Sequence, residues 1–166
     1  MTAANNLIFV LTLLAAMGAG LIGGAFFAFS SFVMKALGRL PPAEGLKAMQ
    51  SINVVVLNPV FLGVLVGTVF LGIVVIISSL LRLGEPGSAY LIAGSLLYIV
   101  GTFMVTMIFN VPLNNVLAAA DPASADGAKV WENYLNVWTF WNHVRTLAAL
   151  AGTASLTLGL VYRGMQ

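Results

Sequence analysis

"VVVLNPVFLGVLVGTVFLGIVVIISSLLRLGEPGSA", residues 54–89, is the stretch whose reading decides the fold. Its first part, 54–81, carries no charged residue and is longer than the about 20 residues an α-helix needs to cross the hydrocarbon layer of a bilayer. Then "RLGEPGSA" (82–89) brings both signs of charge and Glu-Pro-Gly punctuation, the signature of a tight polar turn. The apolar pattern resumes at Tyr90. Two spans joined by so short a turn are antiparallel neighbours.

Outward from this pair, spans are expected at 7–33, 54–81, 90–109 and 140–162. The stretch 7–33 has no basic segment before it and is too long for the apolar core of a signal peptide, so it reads as a retained helix. The fold class is all-α: an integral, multi-pass, up-down four-helix bundle, with 1–166 as one domain. Composition agrees. Of 166 residues, 60% are hydrophobic and 7% charged, against about 25% charged in soluble domains; mean hydropathy is +1.02. So little charge cannot cover a water-facing surface, which makes the lipid bilayer the main partner.

The same numbers exclude several functions. A net charge of +2 with no Lys/Arg cluster argues against nucleic acid. The absence of cysteine removes disulfides, thiolate metal sites and thiol nucleophiles. One histidine rules out a multi-histidine metal centre within the chain, and no metal site is expected.

The connections 34–53 and 110–139 are long and patterned. "LPPAEGLKAMQSIN" (40–53) has proline at a first helical turn, then Leu46, Met49 and Ile52 at helical spacing. "WENYLNVWTFWNHVR" (131–145) aligns Trp131, Tyr134, Leu135, Trp138, Trp141, Asn142 and Arg145 along one stripe. Helices two and four of the bundle are therefore expected to extend beyond the membrane on one face. Lys35, Arg39, Lys47 and Lys129 lie on that elaborated side, against Arg82 and Arg163 on the other, which places the elaborated end in the cytoplasm. Gly20 with Gly24, and Gly63 with Gly67, have the small-xxx-small spacing of close helix contacts.

Strong polar residues converge on the elaborated end. From His143 to Tyr162 is about 29 Å of helix, so His143 and Arg145 sit at the inner edge of that face. Ser30 and Ser31 end the first helix there, and Gln50, Asn53 and Asn58 precede the second. Asn110, Asn114 and Asn115 surround Pro112, below which Tyr98, Thr102, Thr106 and Asn110 form a track at four-residue spacing. Trp131 and Tyr134 fit an interfacial aromatic belt. His143 and Arg145 project roughly 200° apart, so only one faces the bundle axis squarely. Sequence leaves open which one.

"FVMKALGRLPPAEGLKAMQSIN" (32–53), "NVPLNN" (110–115) and "WTFWNHVRT" (138–146), in this order, resemble the small four-helix membrane proteins that include fungal anthrone oxygenases. The resemblance implies cofactor-independent oxidation of a polycyclic phenol by dioxygen, with Asn110, Pro112, Asn114, Asn142, His143 and Arg145 as signature positions. In that reading His143 is the base and Arg145 acts with it on the developing oxyanion, aided by Asn110 and Asn114. Trp138 and Trp141 form an aromatic wall for an apolar aromatic molecule, and Asn142, Asn53 and Gln50 complete the substrate site. Alternatives stay open: a quinone, haem or lipid occupying the same mouth, with haem as the cofactor, or an accessory subunit without catalysis. A homo-oligomer is likewise open.

Overall fold

The computed structural model describes residues 3–164, which are helical apart from short connecting turns and carry no strand. Five helices follow in order among them. α1 runs as Ala3–Ala28, continues through a π turn at Phe29–Val33 and ends with Met34–Leu37. α2 is Pro42–Val55, α3 Pro59–Leu80 and α5 Ala125–Gly164. α4 spans Ser88–Ala119, with π-helical stretches at Leu97–Met104 and Thr106–Asn110. Among the described residues, α1, α3, α4 and α5 are each long and apolar enough to cross a membrane.

These four close a ring in which α1 packs on α3 and α5, and α4 packs on α3 and α5. The protein is thus a multi-pass membrane bundle with alternating helix directions. Its outer faces carry large exposed apolar side chains such as Leu21, Phe70 and Leu147, the surface a lipid-facing helix needs.

α2 is a helix of its own rather than a continuation of the second span. Asn58 caps α3, its Oδ1 accepting from the Phe61 N–H at 3.0 Å, and Pro59 occupies the first turn. A residue before proline disfavours the helical conformation, and Asn58 is extended, so the chain breaks between Val55 and Pro59. The fourth span does extend as expected. α5, at 40 residues, is about 60 Å long, twice the hydrocarbon thickness.

Pro112 does not end α4. A proline inside a helix removes one N–H and crowds the preceding turn. Here the helix widens to π geometry just before it, with Val111 N–H bonded to Thr106 O, and then runs on to Ala119.

The glycines expected to mark close packing are not the ones that do so. A Cβ added at Gly24, Gly63 or Gly67 would meet nothing within 4 Å, and one at Gly20 only ordinary contact with Thr153. The tight seam runs between α4 and α5. A Cβ at Gly94 would come within 2.9 Å of the Gly152 carbonyl, and one at Gly152 within 3.0 Å of the Gly94 carbonyl. Gly87 against Gly159 and Gly101 against Ala148 extend the same seam to either side. Small residues let these backbones touch, and that contact sets the rotation of α5.

At the elaborated end α2 folds over α5. Leu46 and Met49 are fully buried with Met34, Leu117, Trp131, Tyr134 and Trp138. Trp131 and Tyr134 are therefore core residues, only 2% and 1% exposed, and not a headgroup belt. Their rings stack in series: Trp131 on Tyr134 at 5.9 Å and Tyr134 on Trp138 at 5.5 Å between centroids.

Candidate functional site

The α4–α5 seam turns Arg145 inward and His143 outward. Arg145 is 5% exposed, whereas His143 lies on the exposed face of α5 and, among the described residues, has no hydrogen bond to its ring. Residues two positions apart on a helix point roughly 200° apart, so the paired role expected of them does not form. His143 is separate from the polar cluster that surrounds Arg145.

That cluster is built one turn at a time. Asn142, fully buried, accepts from Arg145 Nε at 2.9 Å and Nη2 at 2.8 Å through its Oδ1. Its Nδ2 donates to the Phe26 carbonyl at 2.8 Å and to Ser30 Oγ at 2.7 Å, which fastens α5 to α1. Ser30 also meets Thr146 Oγ1 at 3.2 Å. From α4, Thr106 Oγ1 accepts from Arg145 Nη1 at 3.2 Å. A guanidinium carries more N–H donors than these three contacts use.

Aromatic faces close the remaining sides. The guanidinium carbon stands 3.7 Å from the centroid of Phe26 and 4.9 Å from that of Trp138, cation–π distances in a desolvated setting. No carboxylate forms an ion pair with Arg145 among the described residues. Nearby, Asn110 donates to the Trp138 carbonyl at 3.1 Å, while its buried Oδ1 lacks a partner. The arrangement is a buried cation held by neutral groups, with hydrogen-bonding capacity in reserve.

A family model described as anthrone oxygenase matches residues 56–155. The chain belongs to that family. No curated protein and no solved structure matches it. The stretch matched by the family model contains Arg145, Asn142, Asn110 and Asn114, but not Phe26, Ser30 or α2, which complete the enclosure.

The other expected residues join in unequal ways. Asn114 Oδ1 accepts from Tyr134 Oη and Trp138 Nε1, both at 2.8 Å. Asn53 Nδ2 donates to Tyr134 Oη at 3.3 Å, so α2, α4 and α5 meet on one tyrosine. Gln50 serves the backbone instead: its Nε2 donates to the carbonyls of Leu117 and Ala120 at 2.9 and 3.0 Å, capping the end of α4. Trp141 is half-buried and stacks on Phe109, ring centroids 3.6 Å apart, as part of the outer wall.

The polar track on α4 ties helices together. Tyr98 Oη donates to the Leu65 carbonyl at 3.1 Å and Thr102 Oγ1 to the Arg145 carbonyl at 3.2 Å. Phe26, Thr106 and Tyr134 were absent from the expected site. Thr106 and Tyr134 stood on its stripes and could have been included, but Phe26 is one apolar residue among many on α1, with no distinguishing signal.

Proposed function

We propose that the protein is a membrane oxygenase that takes a planar phenolic or anthrone-like molecule at the Arg145 cluster and holds it as its oxyanion. The observation that carries this reading is a buried guanidinium with no carboxylate partner among the described residues, bracketed by the rings of Phe26 and Trp138. Burying an unpaired charge is costly, and such a charge in a membrane protein is kept for a counter-charge that arrives with a ligand. An ionised phenol supplies that charge, and its flat ring suits aromatic walls.

In this reading Arg145 stabilises the ionised substrate, and the released proton passes to water at the level where α5 leaves the bilayer. The electron-rich carbanion form then gives one electron to dioxygen. Recombination of the carbon radical with the superoxide so formed makes a carbon-bound peroxide anion, which takes a proton back from water and then loses water to leave a carbonyl. One methylene loses two hydrogens and gains one oxygen; the second oxygen departs as water. The substrate itself supplies the electrons, so this route needs no metal or flavin. Guanidinium and amide donors act on the developing oxyanion and peroxide, where a dry surrounding strengthens them. The substrate arrives laterally from the lipid, displacing the aromatic contacts that now enclose Arg145.

The test is oxygen uptake by purified, lipid-reconstituted protein given an anthrone. Arg145→Met is expected to lose at least about a hundredfold, the scale of one oxyanion donor. His143→Ala is expected to keep nearly full activity, since its ring faces away. Full uptake by Arg145→Met would end the proposal. So would a haem band in the spectrum of gently extracted protein, whereas a bound aromatic or quinone identified by mass spectrometry would support it.

A further inference from the structure

The opposite end of the bundle holds a cavity of about 390 Å³ that the Arg145 cluster does not explain. Its lining divides by chemistry. Ile8 and Phe9 of α1 and Leu160 of α5 form an apolar side, while Arg82, Glu85 and Arg163 form a charged one. Glu85 stands 3.8 Å from Arg82 Nη1 and 3.7 Å from Arg163 Nη2, so a single carboxylate is shared at long range by two guanidinium groups. Among the described residues, one positive charge is left over.

The arginines are held in place by neutral groups. Arg82 Nη1 donates to Asn5 Oδ1 at 2.6 Å, and Arg163 Nη2 donates to Ser88 Oγ at 3.3 Å. Arg163 has a side chain only 17% exposed, and its buried Nε has no hydrogen-bond partner among the described residues. Glu85 is about half exposed to water. This is a pair of cations with an unused donor, a half-exposed carboxylate at long range and an apolar floor at the level where the helices end.

We propose that this cavity binds an anionic phospholipid, its phosphate on Arg82 and Arg163 and one acyl chain along Ile8, Phe9 and Leu160. Two guanidinium forks match a phosphate's oxygens and their donors exceed what Glu85 takes. The phosphate brings the negative charge that the local balance lacks, and the apolar wall requires a ligand with a tail. A free phosphate ion would satisfy the arginines and leave that wall uncovered.

The experiment compares thermal unfolding of the full-length protein in neutral detergent micelles, alone or doped with phosphatidylglycerol, phosphatidylcholine or inorganic phosphate. Phosphatidylglycerol is expected to raise the midpoint by about 3 °C or more, with little response to phosphatidylcholine or phosphate. Arg163→Gln should lose that response. Leu160→Trp, which fills the cavity and leaves both arginines, should lose it as well and serves if Arg163→Gln does not fold. An equal phosphatidylglycerol shift in wild type and in the variants overturns the site. A shift as large with phosphate alone overturns the lipid assignment in favour of a soluble anion.

Discussion

Asn142 holds Arg145, and the cost of removing it follows from the geometry. Asn142→Leu keeps the branched shape but takes away both acceptor contacts at the guanidinium, leaving Thr106 Oγ1 as its remaining side-chain acceptor among the described residues. Removing the neutral acceptor of a buried charged donor costs about 1.5–3 kcal/mol. That cost is the unmet hydrogen bonding of a buried guanidinium, so removing the cation too should recover it. In Asn142→Leu/Arg145→Met the remaining loss is mainly the two donations to Phe26 O and Ser30 Oγ, each about 0.6 kcal/mol within a membrane. The double variant is therefore expected to be more stable than Asn142→Leu alone by about 2 kcal/mol, roughly thirtyfold in the unfolding equilibrium. The assay is reversible unfolding in mixed micelles by rising dodecyl sulfate, followed by tryptophan fluorescence, since Trp138 sits in the cluster. A double variant equal to or weaker than Asn142→Leu would refute the picture of a charge kept without a counter-ion.

The remaining predictions concern the frame around the site. Gly94→Ala should cost about 1–3 kcal/mol in the same assay, because its methyl meets the Gly152 carbonyl and Leu156. Gly63→Ala should be neutral or stabilising by up to about 1 kcal/mol, since nothing lies within 4 Å and alanine favours the helix. An equal loss at both positions would contradict the assigned seam. Gln50→Ala should cost about 1 kcal/mol and speed hydrogen exchange near residues 117–120, where it removes two caps. Unchanged exchange there would show that Gln50 does not hold the end of α4.

Much of the site was legible in the chain, but its organisation was not. The elaborated end, the Asn-rich stretch around Pro112 and the stripe ending in Arg145 all stand out as polar residues within an apolar background. Gln50 and Asn53 were also placed at the right depth, yet one caps a helix and the other ties to Tyr134. An amide signals that it must make hydrogen bonds; it does not signal with whom. Trp131 and Tyr134 resembled a headgroup belt because aromatic residues at helix ends often are. Only the fold of α2 across them makes them core.

What the sequence by itself determined is the number of spans, their alternation and the depth at which polar groups gather. These follow from summed transfer energies of local stretches, which need no knowledge of neighbours. What only the tertiary structure decided is the rotation of each helix about its axis. Gly94 against Gly152 sets α5 so that Arg145 enters the bundle and His143 leaves it. Apolarity cannot choose between those phases in lipid, because both faces of a spanning helix are apolar; the close approach of two backbones can.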